Sequence, residues 1–408
     1  MKICAIICEY NPLHNGHKMQ IQKCRELTNA DYVICIMSGY FLQRGETAIL
    51  DKYARASLAI HSGADIVIEL PQQFATSSAE VFALGAIKCL NALNCVTHLC
   101  FGSESGDIEA LKYTAEVLND EPSELKTLIM QNLAQGKSHA SSKIKAVKSH
   151  FENNIALIDI LNKSNNILGV EYLRALSNTK SNIIPLTIKR EGDDYNEKKI
   201  KNRYASATAI RVIINLKNSI KRIKKFVPSE TYIALQQAKK ENNLVNEKIL
   251  NNLILYRLKT ISENELKNIF SVNEGLENYI IKSAKQCDSY PQFLEKTITK
   301  RYGQQKLQRI AIHALLGITN QDILSLYEKN YAPPYLKILA TNDSGILSEL
   351  TKSKVKIITR SKDSKNIDKQ LNFTKIHENA QNIFNMTIQN KPEYVPEILR
   401  SSTFIKTK

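Results

Sequence analysis

The sequence predicts an α/β fold: a Rossmann-like, mostly parallel sheet over residues 1–210, followed by a mainly helical, basic region over 211–408. Three observations lead there. Short apolar runs alternate with helical patterns through the first 190 residues, the mark of βαβ units whose ligands sit at the strand C-terminal ends. After Ile210 the strand signals thin out, and helical segments dominate to about Leu326. Charge is divided too: residues 1–160 hold 14 Lys and Arg against 17 Asp and Glu, a net of −3, so the total of +16 leaves +19 to the remainder.

Taken in order, the strands expected are Lys2 to Cys8, Asp31 to Ser38, Ala64 to Leu70, Thr97 to Phe101 and Ile183 to Arg190. Between them His17 to Leu27, Asp51 to Ser62, Ser77 to Leu93 and Asp107 to Leu118 carry apolar residues at helical spacing. Residues 119–163, with turn signals at Glu121-Pro122 and Gly136 and a basic stretch from Lys143 to Lys148, form an insertion before the last strand. Tyr331-Ala332-Pro333-Pro334 breaks the helical region, and Lys354 to Thr359 offers one further strand. No internal repeat or low-complexity linker stands out.

Eight cysteines, several inside apolar runs (Cys4, Cys8, Cys35, Cys100), fit buried thiols of a reducing compartment. Cys4 and Cys8 share one face of their strand, which is a packing pattern, and no CxxC pair argues for zinc or any other metal site. Neither a signal segment nor an apolar run of membrane-spanning length is evident, so a soluble, cytoplasmic protein with no membrane partner is expected. A near-neutral half joined to a strongly basic one suits an enzyme acting on a polyanion, although the abundance of Lys, Asn and Ile also fits a biased genomic composition.

The densest chemistry lies in Asn11-Pro12-Leu13-His14-Asn15-Gly16-His17, between the first strand and the first helix. Two imidazoles three residues apart at a helix N-terminus can both face a bound triphosphate, while backbone NH groups and the helix dipole offset its charge. Glu9 to His17 resembles the HxGH signature of the nucleotidyltransferase superfamily, which includes the class I aminoacyl-tRNA synthetases. That resemblance implies imidazoles stabilising a pentavalent α-phosphate. A second segment, Arg203-Tyr204-Ala205-Ser206-Ala207-Thr208-Ala209-Ile210-Arg211, is similar to the [ST]xT…R element of the same superfamily. There Ser206 and Thr208 would take phosphates and Arg211 would balance leaving pyrophosphate; Ser206 alone also reads as an ordinary helix cap.

Further stretches narrow the resemblance to one family, the tRNA(Met) cytidine acetate ligases: Met37 to Glu46, Gly63 to Pro71, Phe101 to Glu104, Asn165 to Gly169 and Ile188 to Arg190, with weaker matches at Thr299 to Tyr302 and Ala332 to Leu339. The family implies adenylation of acetate by ATP, with Mg2+, and acetyl transfer to N4 of the wobble cytidine in the anticodon of elongator tRNA(Met). Carried onto matching positions, the ATP contacts are Ile7, Cys8, Glu9, Tyr10, Asn11, Pro12, Leu13, His14, Asn15, Gly16, His17, Lys18, Met19 and Gln20, then Gly102, Asn166 and Arg190. Position 13, often Phe in the family, is Leu here. Asn165 could exchange roles with Asn166.

Arg44, in Gln43-Arg44-Gly45-Glu46, would hold a phosphate or the acetate carboxylate with Glu46 orienting it, or the loop carries only a surface ion pair. Glu69 could bind ribose or steady a histidine. His61, His98, His139, His150, His313 and His377 are assigned to packing or solvent. For RNA the residues singled out are Lys221, Arg222, Lys224 and Lys225 within Lys217 to Lys225, and Lys300 and Arg301 within Lys296 to Arg309, with Lys352 to Arg360 as a third cluster; Tyr302 and Tyr331 offer π faces for an unpaired base. Two rivals stay open: a small-molecule adenylyltransferase, and a nucleotide-regulated RNA-binding protein without turnover.

Overall fold

A computed structural model describes residues 1–120, 122–151, 155–190, 205–215, 220–273, 275–328, 331–342, 345–364, 367, 372–390 and 395–405. Its centre is one sheet of strands β1 (Ile3–Cys8), β2 (Tyr32–Ser38), β3 (Ile66–Leu70), β4 (His98–Ser103), β5 (Ile184–Lys189), β6 (Tyr335–Thr341), β7 (Lys356–Ile358) and β8 (Thr403–Phe404). The order is β5-β4-β1-β2-β3-β6-β7, with β8 also on β6. The first five strands pair parallel, as the alternating pattern predicts, and β3 to β6 is the antiparallel pair. The sequence reading has no strand over Tyr335–Thr341. That run is buried along its length and follows two prolines, and Lys337 at its centre masks the apolar signal.

Both faces of the sheet are covered. Ile3, Ala5, Ile34, Ile36, Ile66 and Ile68 point into one core, and Cys4, Ile6, Val33, Cys35 and Val67 into the other, the two-residue alternation of a doubly covered sheet. Cys4 and Cys8 share a face, as expected. Helices Asn15–Thr28, Lys52–His61 and Ala207–Asn215 lie on that side, while Ala79–Leu93, Ile108–Asn119 and Ser164–Asn178 lie on the other. Each core also takes residues from both sides of position 210. Among the described residues, no helix is long and apolar enough to cross a membrane.

Helix starts follow their capping residues. Asp51 accepts from Tyr53 N at 2.7 Å, and Asp107 accepts from Glu109 N and Ala110 N at 3.0 Å, which sets these two helices where their N-cap carboxylates predict. The insertion is helical, over Ser123–Ala134, His139–His150 and Ile155–Leu161.

Candidate active site

β1 ends at Cys8, and the chain turns through a left-handed Tyr10 and a cis Asn11-Pro12 bond before the helix begins at Asn15. His14 and His17 cap that helix reciprocally: His14 Nδ1 accepts from Gly16 N at 3.1 Å, and His17 Nδ1 accepts from His14 N at 3.4 Å. Their rings stack with centroids 3.6 Å apart, and a Cβ at Gly16 would stand 3.0 Å from the His14 ring, so a side chain there would press on it. Because both Nδ1 atoms are acceptors, each neutral ring carries its proton on Nε2, free to donate outward. Burial, and then the Arg190 charge, push the His14 pKa down to about 3. His17 is depressed by burial, by His14 and by Arg190. The pair is therefore a neutral, two-donor device at the positive end of a helix dipole.

One cleft gathers His14, Gly16, His17, Met19, Gln20, Gly102, Arg190 and Ser206 at the C-terminal ends of β1, β4 and β5, and opens to solvent. Residues 190 positions apart in sequence thus share a wall. At Gly102 the missing side chain lets Arg190 lie across the end of β4, since a Cβ there would stand 3.2 Å from Arg190 Cγ. Ser206 caps its helix, accepting from Ala209 N at 3.1 Å.

Other residues of the two motifs support this wall from behind. Arg211 donates to Asn11 O at 2.8 Å and to Glu46 at 3.3 Å, with Thr208 Oγ1 at 3.5 Å, so it ties the late helix to the histidine turn. Asn11 Oδ1 accepts from Ile49 N at 2.7 Å, Glu9 accepts from Gln43 N at 2.8 Å, and the Tyr10 hydroxyl meets Cys35 Sγ at 3.5 Å. Ile7, Cys8, Pro12 and Leu13 are strand or turn packing, and Lys18 lies partly exposed on the first helical turn. Asn15 donates from N and Nδ2 to the carbonyls of Phe226 and Lys225, both at 3.0 Å. Lys221, Arg222, Lys224 and Lys225 thereby line a wide cleft beside the turn.

Between the two asparagines, Asn166 Oδ1 accepts from Glu104 N and Ser105 N at 2.8 and 3.1 Å, holding the loop after β4. Asn165 is the one facing Arg190, whose Nη1 donates to its Oδ1 at 3.4 Å. Glu46 pairs with Arg211, and Glu69 turns away from the cleft to Lys52 at 2.8 Å and to His377 at 3.4 Å. His377, assigned to packing, is buried beside the Phe373 ring and next to Glu69. Lys300 and Arg301 do not line that cleft: the Lys300 carbonyl accepts from Ser138 N at 3.1 Å, and Arg301 covers the Tyr302 ring at 5.6 Å. Arg203, Tyr204 and Lys217 lie outside the described residues.

Sequence reasoning missed Arg55. Its guanidinium, fully buried, donates to the carbonyls of Glu9 (2.5 Å), Ser38 (3.1 Å), Leu50 (3.2 Å) and Gly39, fastening the ends of β1 and β2 together, and burial lowers its pKa to about 10. The available signal was a cation on the apolar face of a helix. Among the described residues, no group of three His, Cys, Asp or Glu is arranged to hold a metal.

With this geometry in place, comparison with known proteins is specific. The HIGH Nucleotidyl Transferase family model matches residues 1–395. A tRNA(Met) cytidine acetate ligase of Clostridium novyi is 42% identical over 354 residues, covering 86% of this chain and 88% of its own. One from Clostridium botulinum (strain Langeland) is 38% identical over 414 residues, covering 100% and 99%. The apo crystal structure of Thermotoga maritima TmcAL superposes with a TM-score of 0.92 at 31% identity over 100% of both chains. A second form, bound with alpha-thio ATP, gives 0.85 at 32% identity over 95% of both.

Proposed function

The chain belongs to the HIGH nucleotidyltransferases and, within them, to the tRNA(Met) cytidine acetate ligases; from that premise we propose that it adenylates acetate with ATP and acetylates N4 of the wobble cytidine of elongator tRNA(Met). The observation that carries the reading is the single cleft shared by His14, His17, Gly102, Arg190 and Ser206. A carboxylate cannot acylate an amine without a good leaving group. In the first step an acetate oxygen forms a bond to the α-phosphorus, the bond from that phosphorus to the bridging oxygen breaks, and pyrophosphate leaves. In the second, the cytidine N4 attacks the acetyl carbon, AMP leaves, and N4 loses a proton.

The outward Nε2–H groups of His14 and His17 would donate to α-phosphate oxygens as negative charge gathers there, and the helix N-terminus adds its dipole. Arg190, always charged, pairs with phosphate, while Ser206 adds a hydroxyl. Thr208 and Arg211 act as positioning residues on the geometry seen, since Arg211 is engaged by Asn11 and Glu46. Mg2+ would enter as the counter-ion of ATP, offsetting charge on its phosphates. The lysines of the cleft beside the histidine turn, and Lys300 and Arg301, would meet RNA phosphates. The reaction belongs in the cytoplasm with its tRNA.

The test is exchange of labelled pyrophosphate into ATP without RNA. Exchange that requires acetate is expected. A small-molecule adenylyltransferase, or an RNA-binding protein without turnover, would show none, and absence of exchange with acetate and other short carboxylates would refute the adenylation step.

A further inference from the structure

A cavity of about 580 Å³ lies between the helices Ala79–Leu93 and Ser164–Asn178, with Tyr327 and Tyr331 on its wall. That volume is in the range of small-molecule sites, and no lining residue is shared with the histidine cleft. Both helices run from the catalytic edge of the sheet back toward its other edge, the first ahead of β4 and the second ahead of β5. Near their ends Asn91 Nδ2 donates to Thr179 Oγ1 at 3.1 Å, so the helices stay side by side down to that edge. The two ends of the cavity differ in charge. Glu80 and Glu171 stand toward the catalytic edge, where Arg174 takes Glu171 at 2.8 Å; burial, then these two carboxylates, push the Tyr327 pKa up to about 12. Toward the opposite edge stand Lys88, Lys180 and Lys354, the last fixed through its backbone N, which donates to Ala92 O at 2.8 Å.

Lys88 sets this end apart. Its ammonium has three N–H donors. One goes to Glu328 O at 2.6 Å, and the Tyr331 ring lies 5.6 Å from Nζ. Lys88 is only 8% exposed, yet among the described residues no carboxylate stands at ion-pair distance from it. Burial lowers its pKa, and the Glu328 charge, from farther off, works the other way. A buried cation short of acceptors is costly, and an anion entering the cavity offsets that cost. Lys180 and Lys354, exposed on the same wall, complete a three-cation end that matches a phosphate better than a single carboxylate. The other end offers aromatic rings and the exposed carboxylate of Glu80, an acceptor for a ring amino group. Phosphate, flat ring and amino donor within one such volume describe a nucleotide.

We infer that this cavity is a nucleotide site separate from the catalytic cleft, taking a nucleoside phosphate with its phosphate on Lys88, Lys180 and Lys354 and its base beside Tyr327 and Glu80. The helix Ser164–Asn178 serves both sites, since its first turn carries Asn165 against Arg190 at 3.4 Å.

The full-length protein and its Lys88→Met and Lys180→Glu variants would be dialysed to equilibrium against labelled AMP, ATP and GTP in turn, with and without excess inorganic phosphate. Melting temperature, acetate-dependent pyrophosphate exchange and acetylation of a tRNA(Met) transcript would be measured alongside. The parent should take up, of at least one of these nucleotides, one molecule per chain more than the catalytic cleft alone holds. Lys88→Met should bind that additional molecule at least about tenfold more weakly, as loss of a charge-assisted hydrogen bond implies, while exchange changes less than about twofold. Lys180→Glu, an exposed change, should weaken the same uptake and melt with the parent. A single nucleotide per chain in the parent refutes the site, as does additional uptake that neither variant weakens. Inorganic phosphate that binds as tightly as the nucleotides makes it a plain anion site and refutes the nucleotide. A raised RNA KM in the variants, with no additional nucleotide in the parent, gives the cavity to RNA, again a refutation. If Lys88→Met melts several degrees lower, Lys180→Glu decides, and unchanged uptake there refutes the site.

Discussion

At the scale of single residues, the two imidazoles are distinguished by their neutrality. Their folded-state pKa values lie below the unfolded value near 6.5, His14 at about 3. The sign follows: below pH 6.5 the unfolded chain binds protons that the native histidines refuse, so the stability they allow is complete above 6.5 and is lost as pH falls toward 3. Thermal unfolding between pH 7 and pH 5 should show a steeper loss for the parent than for His14→Gln, by roughly 1.4 kcal/mol for each pH unit well below 6.5. Equal slopes would mean that His14 titrates normally. The motif itself was legible, since a strand, two histidines around a glycine and a helix leave few other arrangements. Which of Asn165 and Asn166 faces Arg190 was not legible, because adjacent helical residues point about 100° apart and only the packing of the helix Ser164–Asn178 sets its rotation.

At the scale of elements, the sequence located five strands of the parallel sheet to within a residue or two, because apolar runs alternating with amphipathic helices are a local signal. Tyr335–Thr341 escaped because its Lys337 is neutralised by Glu397, 60 residues away, which no local pattern reveals. The loop after β2 makes the same point. Its sequence fits either a phosphate- or acetate-binding loop or a surface ion pair and says nothing of packing, yet Gly45 has φ +76° and abuts the backbone of Gln308 and Arg309, whereas Gly136 has the same φ with open space around it. Alanine at either position meets a left-handed backbone, at roughly 1–2 kcal/mol. Only at Gly45 must a helix also move. Gly45→Ala should therefore destabilise more than Gly136→Ala in denaturant unfolding and also impair RNA acetylation, while Gly136→Ala keeps full activity; equal losses of stability would show that the loop yields freely.

At the scale of the whole molecule, the basic C-terminal part is joined to the catalytic sheet by charge as well as by β6. Lys52 Nζ lies 2.8 Å from both Glu69 and Glu397, Lys337 Nζ lies 2.6 Å from Glu397 and also bonds Ser361, and all four charged groups are buried. Two cations and two carboxylates balance, so desolvation is offset only while the set is complete. Lys52 and Glu69 belong to the first 70 residues and Glu397 to the last 12, so this closure joins the two ends of the fold beneath the loop that carries Gly39 and Arg44. Glu397→Gln keeps the shape but leaves Lys337 without its carboxylate, and should cost about 3 kcal/mol in reversible unfolding at neutral pH. Arg400→Ala, which removes a partly exposed pair with Asp51 at 2.9 Å, should cost about 1 kcal/mol or less. If the two changes cost the same, the buried set is not what fastens the C-terminal segment, and the contacts of β6 and β8 must carry that attachment instead.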